Sequence, residues 1–161
     1  HDGFLGGAQI SPYGDLNTTV IGPHARPKVR LPGSGGGNDV GSLCWRTVIL
    51  MKHERHRFLE RVDFTTTPGY LGGPGGRERA GLPSGTGPFR VVTDLCLFDF
   101  ETRSKRMRLR ALNPGVSVER VRAATGFPFP AARDIRRNEP PTAEELKTLR
   151  EQVDPGKVFL S

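Results

Sequence analysis

At 161 residues, 35% hydrophobic and 25% charged, the chain has the size and balance of one globular domain with a core of its own, which excludes a fibrous or wholly disordered protein. Its 21 glycines and 14 prolines stay below the level that argues for disorder and point to a fold with much of its length in loops. The net charge of +7 raises nucleic acid as a partner, but the cations fall in small scattered groups (Lys28 and Arg30; Arg55 and Arg57; Arg103, Lys105 and Arg106; Arg136 and Arg137) without aromatic interleaving, zinc-finger spacing or a basic helix repeat. No nucleic-acid partner is therefore expected, and the arginines read as a solvated surface or as a site for an anionic cofactor such as a CoA phosphate.

In chain order, Phe4-Leu5 and Ala8-Gln9-Ile10 read as strand pieces, and Ser11-Pro12-Tyr13-Gly14-Asp15 as a turn. Asn17-Thr18-Thr19-Val20-Ile21 is β-branched and extended. Lys28-Val29-Arg30-Leu31 alternates, and a glycine run follows at Gly33-Ser34-Gly35-Gly36-Gly37, with a short helix expected over 40–45. Residues 47–51 form an apolar run, as a strand covered on both faces would. Residues 61–64 suggest a short strand, and 68–88 a long glycine-rich surface loop. Strands are expected at 90–93, 96–100 and 107–111, the last two as a hairpin. Two helices close the chain, one capped by Ser117 and one opened by a capping box at Thr142 and Glu145, with Leu146, Leu149 and Val153 on one side. The fold class is α/β with more strand than helix.

The chemistry-bearing patterns are weak when read singly. The glycine run lacks the Gly-Lys-Ser/Thr ending of a phosphate loop, having Asn38-Asp39 instead. His53-Glu54-Arg55-His56 has one residue too few for the metalloprotease spacing and reads as a charged, solvated turn, so no metal is expected. Ser34 and Cys44 lack a His–acid pair at a nucleophilic spacing. Arg77 and Arg79 offer an anion clamp or a structural ion pair. Cys44 and Cys96, both in apolar surroundings, read as buried free thiols of a reducing compartment. No apolar run approaches the roughly 18 residues of a membrane span, so a cytoplasmic location without membrane attachment is expected. The start at His1, running directly into Phe4-Leu5-Gly6-Gly7, reads as a cut within a fold.

Read together, the motifs are specific. Gly6-Gly7-Ala8-Gln9-Ile10-Ser11-Pro12-Tyr13-Gly14-Asp15-Leu16-Asn17-Thr18-Thr19 resembles the Gly-Gly-Ala-Gln-x-Asp-x-Tyr-Gly-Asn-x-Asn-Ser/Thr-Thr stretch of class I CoA-transferase β-subunits. Gly33-Ser34-Gly35-Gly36-Gly37-Asn38-Asp39 resembles that family's Gly-x-Gly-Gly-x-x-Asp loop. Asp63-Phe64-Thr65-Thr66-Thr67-Pro68-Gly69, Gly72-Gly73-Pro74-Gly75-Gly76-Arg77, Val92-Thr93-Asp94 and Asp154-Pro155-Gly156 continue the series, in the manner of glutaconate CoA-transferase β-subunits in particular.

The resemblance implies a single domain over 1–161, an open mixed sheet of the CoA-transferase superfamily missing an N-terminal segment, with an α-subunit as partner. Acyl-CoA and a small dicarboxylic or oxo acid are the implied substrates, joined through a glutamyl-CoA intermediate whose glutamate lies outside this chain. It places the Asn17 amide against the thioester oxyanion, and the Gly35 and Gly36 amides against the acyl carboxylate or oxyanion. One such donor contributes ~3 kcal/mol in acyl-transfer sites. Asn17 also fits an Asx-type turn. Two departures stand out: Ser11 where the family usually has Asp, and Asp15 where it often has Asn, which puts substrate choice in question. Two other readings stay open, a CoA-thioester hydrolase or ring-cleaving relative without the glutamate, and a non-catalytic scaffold.

Overall fold

The computed structural model describes residues 1–158; the last residue of the expected domain, Ser161, lies outside them. Six strands form one open sheet: β1 (Asp2–Leu5), β6 (Arg46–Leu50), β7 (Gly87–Val92), β8 (Cys96–Phe100), β9 (Met107–Leu112) and β10 (Ala131–Arg137), in that spatial order. β1, β6 and β7 run parallel, β8 is antiparallel to both neighbours, and β10 returns parallel to β9. This is the mixed α/β sheet expected. The 101–106 hairpin is where the polar interruption placed it, and β9 alternates as its sequence does, with Met107 and Leu109 fully buried.

One face of the sheet carries the core. Ile49, Val91, Phe98, Met107 and Leu109 pack with Ile10, Leu16, Phe58, Val121, Phe127 and Phe129 from the segments laid over them. Each fully buried side chain of this size contributes roughly 1.5–3 kcal/mol. Over that face lie the two-residue strands β2 (Gln9–Ile10) and β3 (Leu16–Asn17), paired antiparallel, then β4 (Val20–Ile21) paired with β5 (Val29–Arg30), α1 (Gly37–Leu43), and α3 (Val118–Ala124). A single helical turn, α2 (Gly76–Arg79), interrupts the long loop. Ser117 Oγ accepts from Arg120 N, and Thr142 with Glu145 closes the capping box of α4 (Ala143–Thr148), so both caps are as expected. A π-helical segment, Leu149–Val153, prolongs α4 with Leu149 and Val153 exposed.

The differences have local causes. The helix after the glycine run begins at Gly37 and ends at Leu43, because Ser34 turns the chain early: its carbonyl accepts from Gly37 N (2.8 Å) and its Oγ from Asn38 N (3.0 Å). β6 is covered on one face only. Thr47 and Ile49 are buried while Leu50 is 49% exposed, on the same side as Phe4 at 71%. Both residues of β5 are exposed, so the alternation at 28–31 does not report a buried face. Residues 61–64 form no strand, since the Asp63 amide donates to the Gln9 side chain (3.0 Å) in place of a neighbouring strand. β10 escapes sequence reading because Arg133, Asp134, Arg136 and Arg137 make it mostly charged, a composition that suits an exposed edge strand. Cys44 and Cys96 are free, Cys96 buried and Cys44 half-buried.

Candidate functional site

The β2–β3 turn is built by two side chains. Ser11 Oγ accepts from Tyr13 N and Asp15 N (3.2 Å each) and donates to Asp15 Oδ2 (2.7 Å). Asp15 Oδ1 in turn accepts from Gly69 N (2.8 Å) and Leu71 N (3.1 Å). Gly14, at φ 78°, supplies the left-handed residue the turn requires. The turn therefore ties itself to the start of the 68–88 loop.

Beyond it, three segments converge. Leu16 exchanges backbone hydrogen bonds with Thr67 (2.9 and 3.1 Å), and Thr18 N donates to Thr66 Oγ1 (2.9 Å). Thr18 is bonded twice to Gly33: its carbonyl accepts the Gly33 N–H and its hydroxyl donates to the Gly33 carbonyl, each at 2.8 Å. Asn38, in the first turn of α1, donates its amide to Thr66 O (2.9 Å). The Asn17 strand, the glycine loop and the Thr66-Thr67 segment are thus one unit. α1 sits close against it: a Cβ on Gly41 would stand 2.2 Å from Thr67 Cγ2, so only glycine admits this approach.

Within that unit the expected site residues are placed differently. Asn17 is fully buried. Its Nδ2 donates to Gln9 Oε1 and Val20 O (both 2.6 Å), and its Oδ1 accepts from Thr19 N (3.0 Å) and Val20 N (3.3 Å). An amide has two N–H hydrogens and both are taken, so Asn17 is an Asx-type turn residue here, and its side chain can reach an oxyanion only by leaving Gln9 or Val20. Gly35 and Gly36 are exposed at the mouth of the unit, Gly35 at φ 50°, and a Cβ on either would meet nothing within 4 Å. Their backbone is thus exposed, with open space beside it. Beside the unit lies a cleft of about 710 Å³ bordered by Ser11, Asp15, Arg61 and Thr65, a size suited to a small acid or part of a larger ligand. The neighbouring Asp63 carboxyl is held below its usual range by the Gly22 amide and by the Gln9 side chain.

Two polar residues prove to be interior. Arg77 is 2% exposed and makes neither an anion clamp nor an ion pair: its guanidinium donates to backbone carbonyls and to Thr86. His53 belongs to no solvated turn. It is 5% exposed, stacked on Phe58 at 4.2 Å between ring centroids, with Nε2 2.9 Å from Thr125 Oγ1 and Nδ1 3.1 Å from Thr93 Oγ1. Burial lowers its pKa to about 4, and pushes the nearby Cys96 thiol up to about 12. At neutral pH both are uncharged, and the pair is part of the core. Among the described residues no group of side chains suits a metal ion, and no helix is long and apolar enough to cross a membrane.

An open mixed sheet, a short antiparallel hairpin laid over it, and an exposed glycine loop entering a helix make up an α/β domain with its open backbone at the loop. The chain belongs to the coenzyme A transferase family: the family profile described as Coenzyme A transferase matches residues 2–124. It is 45% identical to the B subunit of glutaconate CoA-transferase from Acidaminococcus fermentans, over 98% of this chain and 58% of that protein. The crystal structure of that transferase superposes with a TM-score of 0.95, at 44% identity, over 99% of this chain and 61% of that one. Identity to the B subunit of 3-oxoadipate CoA-transferase from Pseudomonas knackmussii is 38%, over 92% of this chain and 56% of that protein. The Rhodococcus jostii RHA1 IpdAB structure superposes with a TM-score of 0.80, at 26% identity, over 98% of this chain and 62% of that one. The chain spans somewhat under two thirds of the length of these relatives.

Proposed function

We propose that this chain is part of the B subunit of a cytoplasmic CoA-transferase that works with an α-subunit and moves CoA between an acyl-CoA and a small dicarboxylic or oxo acid. The observation that carries the reading is the 45% identity to the glutaconate CoA-transferase B subunit along 98% of this chain. Its chemistry would run through a glutamate supplied outside residues 1–161. That carboxylate attacks the thioester carbonyl and expels CoA thiolate, giving an acyl–glutamyl anhydride; the thiolate then attacks the glutamyl carbonyl and releases the acid. A second acid reverses the two steps. The glutamates of this chain support an external nucleophile. Glu54 is paired with Arg57, Glu60 with Arg106, and Glu78 lies exposed in α2, and neither these nor the glutamates from Glu101 onward stand N-terminal to the Gly6-Gly7-Ala8-Gln9 stretch.

In this reading the Gly35 and Gly36 amides hold the developing oxyanion or the acyl carboxylate, where one preorganised donor contributes ~3 kcal/mol. Asn17 serves the same site through the turn it closes, or directly if ligand binding frees one Nδ2 hydrogen. Arg61 gives the adjacent cleft a cation for a second carboxylate.

The test is CoA exchange by the full-length subunit with its partner, followed by borohydride reduction in the presence of acyl-CoA. Exchange, with the reduced residue outside residues 1–161, is expected, while the 161-residue chain alone gives none. A label on Glu54 or Glu78 would overturn the placement of the nucleophile. Net thioester hydrolysis or ring opening without exchange would replace the transferase reading with a hydrolytic one.

A further inference from the structure

Arg77 is a buried cation whose five N–H groups all go to neutral acceptors. Nε donates to Thr86 Oγ1 (3.2 Å); one terminal nitrogen donates to Pro68 O (3.2 Å) and Gly69 O (3.0 Å); the other donates to Gly41 O and Ser42 O (3.0 Å each), with Thr86 Oγ1 at 2.9 Å. Thr86 Oγ1 passes its own hydrogen to Pro83 O (2.7 Å). Desolvation lowers the Arg77 pKa, opposed by Tyr70, Glu78 and Asp15. No carboxylate reaches the guanidinium within hydrogen-bond distance among the described residues. Burying a charge in this way is unfavourable, and an apolar side chain of the same volume would fill the space at less cost. What an apolar side chain cannot do is gather the carbonyls of two separate segments and the hydroxyl of a third onto one planar fork.

Those segments are the ones that build the site. Gly41 and Ser42 are in the last turn of α1, which has no basic residue of its own there, so Arg77 satisfies its free carbonyls and complements its negative end. Pro68 and Gly69 continue directly from Thr66-Thr67. The Gly69 peptide is gripped on both sides, its N–H by Asp15 and its C=O by Arg77, which extends the network to the β2–β3 turn. Thr86 stands at the entry to β7. α1 is only seven residues long, about 10 Å at 1.5 Å per residue. A shift at its Arg77 end therefore reaches its glycine end almost undamped.

We propose that Arg77 is a positioning residue of the transfer site: by anchoring the C-terminal carbonyls of α1 to Pro68-Gly69, it holds α1 on Thr66-Thr67 and so fixes the glycine loop that carries the Gly35 and Gly36 amides. The inference rests on the reading that those amides serve acyl transfer, and it concerns geometry that is measurable without turnover.

The experiment compares Arg77→Lys and Arg77→Ala with the wild type in the full-length two-subunit complex. Lysine keeps the charge but offers one nitrogen in place of the fork. The expected result for both is kcat lower by roughly 100-fold, the scale of a 1 Å misplacement, with KM for acyl-CoA changed by less than about threefold. Guanidinium at a few millimolar, well below denaturing levels, should restore part of the Arg77→Ala rate. Hydrogen exchange at residues 35–43 should quicken in Arg77→Lys while the sheet stays protected. Unchanged kcat in a folded Arg77→Lys complex, or a loss that only tracks the folded fraction, overturns the proposal. If the wild-type complex transfers no CoA, the transfer reading fails separately. Exchange at 35–43 then decides the positioning claim, quickened supporting it and unchanged overturning it.

Discussion

Replacing His53 isolates one titration and gives a stability change of calculable sign. The Thr125 hydroxyl donates its single hydrogen to Val121 O (2.7 Å), so it can only accept from His53, which fixes the imidazole as the Nε2–H tautomer. On the other side, Thr93 Oγ1 already accepts the amides of Leu95 (3.1 Å) and Cys96 (2.9 Å), leaving no lone pair for a second imidazole N–H. Burial lowers the pKa from 6.5 to about 4, and the opposing attraction of Asp94, which accepts the His53 amide, is too weak to restore it. Between these two values the unfolded chain holds a proton that the folded chain does not. Stability is therefore complete above pH 6.5 and falls as pH drops toward 4. At 1.36 kcal/mol per unit the loss is about 3 kcal/mol, a large share of the 5–15 kcal/mol typical of a domain.

The assay is urea denaturation at several pH values from 7.5 to 4, on the wild type and on His53→Gln, which keeps a donor and an acceptor without the titration. Carboxylates contribute to both profiles and cancel in the difference. The wild type should lose about 3 kcal/mol more than His53→Gln across that range. Parallel profiles, or a folded-state His53 titrating near 6.5 by NMR, would refute the tautomer and burial argument together.

Three further outcomes are expected. Gly69→Ala places a Cβ 2.3 Å from Gly14 C and 2.4 Å from Tyr13 O, both backbone, and should lower Tm by roughly 10 °C or prevent folding; a drop of only a degree or two would show that the turn gives way easily. Gly36→Ala meets nothing within 4 Å and keeps its N–H, so Tm should stay within a degree or two, while the added methyl at the open mouth of the loop keeps a ligand from close approach to the backbone and should lower kcat/KM of the full complex roughly tenfold or more; an unchanged kcat/KM would remove Gly36 from the site. Ser11→Asp should destabilise by roughly 2 kcal/mol through two carboxylates in contact, and adding Asp15→Asn should recover most of it; equal stability of the single and double variants would refute the coupling.

How much of this was legible in the sequence follows the range of the interactions. Ser117 and Thr142 announce their helices because a cap bonds three residues away. The β8–β9 hairpin and the alternation of β9 are equally local. His53 is not legible, since its partners lie 40 and 72 residues on and its neighbours Glu54, Arg55 and His56 all point to solvent. Arg77 reads as an anion clamp for the same reason: the carbonyls of Gly41 and Ser42, 36 and 35 residues away, carry no side-chain signature. The motif series pairs the Asn17 strand with the glycine loop, and in the fold the two are joined through Thr18 and Gly33. The bonding of the Asn17 amide to Gln9 and Val20 is a matter of two short distances that no motif encodes.

The exchange at Ser11 and Asp15 shows the limit from the other direction. As isolated departures from the family pattern, a lost aspartate and a gained one look like altered substrate contacts. In the fold they touch each other. Ser11 Oγ takes the amides of Tyr13 and Asp15 and donates to Asp15 Oδ2, while Asp15 Oδ1 takes the amides of Gly69 and Leu71. The reverse pair supplies the same set, with an aspartate at 11 accepting the two turn amides and an asparagine at 15 donating to it and accepting from the loop. The turn keeps one carboxylate in either arrangement, and the move to position 15 carries that charge to the Gly69 peptide whose carbonyl Arg77 holds. These hydrogen bonds hold both side chains within the turn at the border of the cleft, so the exchange moves a charge there without freeing a polar group. Differences in acid preference are therefore to be sought in side chains that face the cleft freely, Arg61 first among them.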